Sequence, residues 1–119
     1  MTTTVIDDFA LLVPTKPGWA EQAYASFDAV LIDHAHCEKK AAASSMSFIA
    51  GNPDKDILVK RCAKLAQEEL KHFQQVHRIL LKRGVSLTPD KGDRYVKVLS
   101  KHVRPGVKRL TDRLVLSAI

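Results

Sequence analysis

Several features that would indicate a secreted or membrane protein are missing from this chain. Its two cysteines, Cys37 and Cys62, lack C-x-x-C spacing and are too few for a disulfide framework. We expect both to be small buried hydrophobic residues. No apolar run approaches the roughly 20 residues of a membrane span, and the N-terminus lacks the basic region of a secretory signal. These absences predict a cytoplasmic protein with no membrane contact.

The chain is also poor in helix breakers and in familiar catalytic motifs. Between Trp19 and Ala50 there is no glycine or proline, which predicts a long helix. A second helix is expected after the turn at Gly51-Asn52-Pro53 and should stop at Gly84. There is no Gly-rich phosphate loop, no Ser-His-Asp arrangement and no cysteine nucleophile with a nearby base. We therefore predict no catalytic residue beyond metal ligands, and no site for an organic cofactor.

This pattern predicts one all-α domain, because 119 residues suffice for a single domain and only helices and loops are indicated. Two long helices joined by so short a turn must lie antiparallel. The predicted segments are an extended lead-in (1–18), helix one (about 19–50), helix two (about 55–83), and a basic loop with short helices (84–119).

Positive charge is concentrated toward the end of the chain, whose formal net charge is +6. From residue 82 to residue 113 there are only three acids, Asp90, Asp93 and Asp112. The same stretch contains ten basic residues: Lys82, Arg83, Lys91, Arg94, Lys97, Lys101, Arg104, Lys108, Arg109 and Arg113. Such a segment suits a polyanionic partner, and it fits a solvated helix surface equally well.

Helical phase separates two neighbouring glutamates in the second helix. One face is uniformly polar and consists of Arg61, Lys64, Glu68, Lys71, Gln75 and Arg78. The opposite face is apolar except at Glu69 and His72; its other members are Leu58, Cys62, Leu65, Phe73, Val76 and Leu80. We therefore expect Glu68 to face water, and Glu69 to point into the core together with His72.

The first helix contains a similar interruption at Glu38. This glutamate lies in a stripe otherwise formed by Phe27, Leu31, His34, Ala41 or Ala42, Ser45 and Ile49. Burying a lone carboxylate is costly, and two carboxylates brought together repel, which raises the pKa of at least one of them. A cation between them removes both problems.

The spacing of Glu69 and His72 strengthens this interpretation, because residues three apart project from the same side of a helix. Di-iron helical bundles take one Glu from each of two helices and a Glu-x-x-His pair from each of the other two. We predict Glu38, Glu69 and His72 as metal ligands, with iron or manganese favoured over a structural zinc. The alternative is a set of polar residues tolerated at a helix–helix seam and paired with Lys or Arg.

The remaining histidines carry less information. His34 precedes Glu38 by one turn, and we expect a core histidine there or a hydrogen-bonding partner of a ligand. We expect His36, His77 and His102 at the surface.

Two stretches of sequence resemble a known family. LIDHAHCEKKAA at residues 31–42 and LAQEELKHFQQV at residues 65–76 look like the first two ligand helices of the tRNA 2-methylthio-isopentenyladenosine hydroxylases. The segments KRGV at 82–85 and LTDRLV at 110–115 also match that pattern. The run DHAHCEKK at 33–40 distinguishes this family from ferritins in general, and the resemblance covers nearly the whole chain.

The resemblance implies a ferritin-like four-helix bundle with a di-iron centre, of which this chain is the N-terminal half. It places Glu38, Glu69 and His72 among the iron ligands. It implies hydroxylation of the isopentenyl group of a hypermodified adenosine in tRNA, with dioxygen and an electron donor as co-reactants. The basic segment would then hold tRNA phosphates.

One departure from the family pattern leaves alternatives open. Members carry a second Glu and a second Glu-x-x-His, whereas this chain has no glutamate after Glu69. We therefore expect half a site. A first alternative is a half-ferritin-like iron-binding module without RNA substrate, in which two copies form a homodimer and complete the ligand set. A second is a helical interaction module without metal.

Overall fold

The computed structural model describes residues 13–117, and every regular element in that range is a helix, which confirms the all-α prediction. The helices are α1 (Trp19–Ala25), α2 (Phe27–Gly51), α3 (Asp56–Lys82), α4 (Arg94–Ser100), a 3-10 turn (Gly106–Lys108) and α5 (Arg109–Ser117). Residues 1–12 of the predicted lead-in lie outside the described residues, and residues 13–18 contain no regular helix.

The structure divides the predicted first helix at Ser26. This residue leaves helical geometry, with φ −117° and ψ 41°. Its N–H still donates to Gln22 and Ala23, and its carbonyl accepts from Val30, so α1 and α2 are joined by a kink without a loop. Serine is favoured at helix ends because its side chain competes for backbone groups in non-helical conformations. The absence of glycine and proline between Trp19 and Ala50 was therefore not enough to predict that one helix is continuous over this range.

The two long helices are antiparallel, as their connection predicts. Asn52 ends α2, where its side-chain amide donates to the Phe48 carbonyl at 3.0 Å, and α3 begins at Asp56. The far ends also meet, because the Arg83 guanidinium donates to the Asp28 carboxylate at 2.6 Å and lies over the Phe27 ring. The start of α2 therefore lies beside the end of α3.

A small core fills the space between α2 and α3. Leu31 and Ala35 of α2 pack with Val76 and Leu80 of α3, and Ile32, Phe73, Val85 and Leu87 close around them. Leu80 and Ala35 are fully buried. Alanine at such a position lets the helices approach closely, and leucine fills the opposite side.

Gly84 ends α3 and turns the chain back onto this core. Its φ of 70° is left-handed, a conformation that glycine adopts without steric cost. The N–H of Val85 donates to the Leu80 carbonyl, and that of Gly84 to the Leu81 carbonyl. This is the Schellman arrangement, in which the residue after glycine packs against the last turn of the helix. The segment 85–88 therefore returns along α2.

Residues from Pro89 onward form a separate compact unit. Asp93 caps α4, where its Oδ1 accepts from the N–H groups of Tyr95 and Val96. Arg104 donates three hydrogen bonds to the Asp112 carboxylate, one from its backbone N–H and two from its guanidinium. No residue from 89 to 117 is fully buried. Across residues 13–117, no helix combines the length and the apolar character needed to cross a membrane.

Candidate metal centre

The structure brings together the three side chains that helical phase selects. Glu38 projects from α2, and Glu69 and His72 project from α3. One donor atom from each lies within 4.8 Å of the other two. His72 Nδ1 is 3.5 Å from Glu38 Oε2 and 3.5 Å from Glu69 Oε2. Two carboxylates and one imidazole therefore converge on a space that a single ion could occupy.

Burial distinguishes the two neighbouring glutamates in the expected way. Glu68 is exposed, whereas only 19% of the Glu69 side chain and 16% of the Glu38 side chain are accessible. His72 is less buried than its phase predicts, since 49% of its side chain is accessible. Leu65, two helical turns before His72 on the same face of α3, is exposed as well. Both are more exposed than Val76 and Leu80 on the same face of α3.

The two carboxyl groups perturb each other in opposite directions. The hydrogen bond between them raises the pKa of Glu69, and partial burial and the Glu38 charge raise it further. The same hydrogen bond lowers the pKa of Glu38, with additional lowering from the imidazoles of His34 and His72. Glu69 is therefore the carboxyl group of the pair whose ionisation is penalised.

This donor set fits a divalent transition-metal ion. Like-charged carboxylates held together need a proton or a cation between them, and the imidazole beside them adds a ligand that iron, manganese and cobalt accept. A divalent cation would offset the charge of both carboxylates at once. A lysine or arginine paired with Glu38 or Glu69, the alternative from sequence, would have removed the need for an ion. Within residues 13–117, the ion pairs of these two glutamates involve His34 and His72 instead.

His34 lies beside this cluster but is not a core residue. Its side chain is 52% accessible, and its Nε2 lies 2.9 Å from Glu38 Oε1. The other expectation for His34, a hydrogen-bonding partner of Glu38, matches this geometry. His34 lies on the same stripe of α2 as Glu38, but on the side of that stripe that is exposed to solvent.

Two predictions of burial are wrong: His36 was expected at the surface and Cys37 in the core. His36 is buried, not exposed: its Nε2 donates to the Thr88 carbonyl at 2.7 Å, and its Nδ1 accepts from Lys39 at 3.2 Å. Its cover is the 85–88 segment, a non-local element that the periodicity of α2 cannot reveal. Cys37 is exposed and contacts Asp33, while Cys62 is buried as expected. His77 stacks on Phe73 at the edge of the core, and His102 is exposed.

Comparisons with known proteins identify relatives of this chain. A family model described as tRNA-(MS[2]IO[6]A)-hydroxylase (MiaE) matches residues 2–119. The chain is 41% identical over 114 residues to the tRNA 2-(methylsulfanyl)-N(6)-isopentenyladenosine(37) hydroxylase of Pseudomonas putida. The aligned residues cover 95% of this chain and 55% of that protein.

A solved structure from Synechococcus, described as protein 43 with aldehyde deformylating oxygenase activity, is similar in fold. It has 37% sequence identity and a TM-score of 0.83, over 90% of this chain and 54% of that one. This chain thus spans about half the length of both relatives.

Proposed function

The chain belongs to the MiaE family of tRNA hydroxylases, and we propose that it supplies iron ligands to an enzyme that hydroxylates the isopentenyl group of 2-methylthio-isopentenyladenosine in tRNA. The observation that carries this proposal is the convergence of Glu38, Glu69 and His72 in a chain of this family. An iron-binding module without RNA substrate is not favoured, because the family and the Pseudomonas relative both bear the name of a tRNA hydroxylase. A tRNA substrate also favours the cytoplasm as its location.

Glu38 Oε2, Glu69 Oε2 and His72 Nδ1 are the atoms that would hold iron. Bound iron would activate dioxygen, so that a methyl group, O2, two electrons from an external donor and two protons give an alcohol and water. The chain's own residues prepare the site for the ion. The hydrogen bond to Glu38 raises the pKa of Glu69, so a bound cation would stabilise the ionised form of Glu69, whereas the pKa of Glu38 is already lowered.

A dinuclear centre of the bundle type needs four carboxylates and two imidazoles, twice what these three residues offer. Two copies of the chain together contain that number, so a homodimer is a sufficient source. A longer polypeptide of the length of the Pseudomonas relative is another. Either would also cover the exposed side of His72 and exclude water from the reaction.

The basic residues of the second unit provide the proposed contact with tRNA phosphates. Lys91, Arg94, Lys97, Lys101 and Lys108 are all exposed. Arg104 differs, because its guanidinium is already committed to Asp112. Each lysine or arginine side chain that contacts a phosphate releases counterions from the tRNA, so the affinity for tRNA should fall steeply with added salt.

The central test measures hydroxylated nucleoside formed from tRNA bearing 2-methylthio-isopentenyladenosine, with anaerobically loaded Fe(II), a reductant and dioxygen. The product should carry one added oxygen, derived from O2. Glu69→Gln should abolish both iron binding and product, whereas Glu68→Gln, the exposed neighbour, should retain both. Equal iron content in the two variants would contradict the assignment of the site. Mass in solution, measured on the same samples, tells whether an active species is a dimer.

Binding of tRNA can be tested separately from chemistry. Charge reversal at Lys97 and Lys101 should weaken tRNA binding by about tenfold or more and flatten its salt dependence. Lys60→Glu combined with Lys64→Glu on α3 provides a control with the same change in net charge, because both lysines are exposed outside the basic segment. Unaltered tRNA binding in the double variant would remove the basic segment from the proposal without affecting the metal site.

A further inference from the structure

The two oxygens of Glu38 have different partners. Oε1 lies 2.9 Å from His34 Nε2, one helical turn earlier on α2. Oε2 lies 3.5 Å from His72 Nδ1, on the side where Glu69 also converges. Glu38 is therefore contacted at Oε1 by its own helix and at Oε2 by His72 of α3.

We propose that His34 is a positioning residue that orients Glu38 for metal binding without itself binding the ion. This inference rests on the metal centre of the proposed function and adds to it a residue outside the ligand set. A carboxylate that is free to rotate can offer an ion either oxygen, or both. A donor that occupies Oε1 fixes the carboxylate plane and leaves Oε2 as the ligand atom.

The contact geometry defines the donor. Because the Glu38 carboxylate is the acceptor, His34 Nε2 must carry the hydrogen of this bond. Its Nε2 is directed at Oε1, and the converging donor set among the described residues consists of Glu38, Glu69 and His72. His34 is also half exposed, so its removal leaves no enclosed cavity.

A purely structural explanation exists, since residues four apart on a helix commonly pair and stabilise it slightly. The two explanations differ in what they predict. A helix-stabilising pair would affect unfolding and leave metal affinity unchanged. A positioning residue would affect metal affinity and leave the unfolding of the metal-free chain almost unchanged.

The test compares His34→Ala and His34→Gln with the parent chain, using Co(II) as the probe and isothermal titration calorimetry as the readout. Partners of ligands typically contribute 10- to 100-fold to metal affinity, so His34→Ala should bind Co(II) about tenfold more weakly. The Gln side-chain amide places a donor close to the position of His Nε2, and His34→Gln should recover most of that loss. His102→Ala, an exposed histidine outside the site, is the control and should bind like the parent.

The outcomes separate this inference from the function beneath it. Parental affinity in His34→Ala would overturn the positioning role and leave the metal centre intact. Equal weakness of His34→Gln and His34→Ala would also overturn it, because a residue that Gln cannot replace is acting as a ligand. No Co(II) binding by a folded parent chain would overturn the metal centre itself, and the role of His34 with it. Circular dichroism of each metal-free variant establishes that the chain is folded.

Discussion

Glu69 lies in the two-helix unit, which contains α2 and α3, and Asp112 lies in the basic unit, which begins at Pro89. Each of these acidic side chains contacts another charged group directly, and the contacts shift their pKa values in opposite directions. Glu69 is hydrogen-bonded to a second carboxyl group, which raises its pKa. Asp112 accepts three hydrogen bonds from Arg104, and this holds its pKa well below its usual range. The first arrangement gathers like charges, and the second pairs opposite ones.

The difference separates an ion pair that balances its own charge from a pair of acids that does not. In the Arg104–Asp112 pair each charge balances the other, so no further ion is needed. The Glu38–Glu69 pair is unfavourable without a proton or a cation, and this makes it a candidate site. Charged groups with unresolved repulsion are maintained at the expense of stability, a pattern expected of functional positions and not of structural ones.

The largest expected effect separates Glu69 from its exposed neighbour. Glu69→Gln should reduce affinity for Fe(II) or Co(II) by at least about 100-fold, since it removes a charged ligand from a set of three. Glu68→Gln keeps the same composition and should bind metal like the parent. Calorimetric titration checks both, and a comparable loss in the two variants would indicate nonspecific binding to acidic groups.

A second effect concerns the buried imidazole of the two-helix unit. His36→Ala would leave the Thr88 carbonyl without its donor and should lower the free energy of unfolding by about 1–3 kcal/mol. Urea denaturation followed by circular dichroism measures this, with His102→Ala as the exposed control. A loss below about 0.5 kcal/mol would show that water replaces the imidazole at Thr88.

The cost of the carboxyl pair should appear as a gain in stability when the pair is broken. Glu69→Gln removes one charge of the pair and retains a donor for Glu38, so the metal-free chain at neutral pH should gain about 1 kcal/mol. The same denaturation assay tests this, with Glu68→Gln as the matched control. A Glu69→Gln variant less stable than the parent would mean that the carboxyl pair stabilises the fold.

Titration of the metal-free chain should show the two acids moving apart. The raised pKa of Glu69 means that its protonation stabilises the folded state at low pH, and that this stability is lost as pH rises through the folded-state pKa. The lowered pKa of Asp112 means that its contribution is present above its ordinary pKa of 3.8 and is lost as pH falls through the depressed value. NMR of side-chain carboxyl carbons follows both, and Glu69 should take its proton at a higher pH than any exposed glutamate.

The smallest effect should be local to the basic unit. Asp112→Asn removes the partner of the Arg104 guanidinium, and amide hydrogens of Arg104 and α5 should exchange faster. Exchange in α2 and α3 should remain at parental rates, because the two-helix core contains no residue of this pair. Faster exchange throughout the chain would indicate that the pair supports the whole fold.

Much of the site could be predicted because its information is local. Glu69 and His72 are three residues apart on one helix, and Glu38 interrupts an apolar stripe on another, so periodicity alone selected all three. The division of α1 from α2 at Ser26 could not be found in the same way. Serine is tolerated within helices and favoured at their ends, and its neighbours give no stronger signal.

The sequence by itself determined the helical class, the antiparallel pairing and the identity of the residues that could share an ion, because each follows from a repeat or from a short connection. Only the tertiary structure decided that His36 is buried, that His34 and His72 stand at an open edge, and that Arg104 is bound to Asp112. The His36–Thr88 and Arg104–Asp112 contacts join residues from different elements, and in each of them a loop supplies one partner. The physical reason is that periodicity records the face on which a side chain lies, whereas burial depends on what the rest of the chain places over that face.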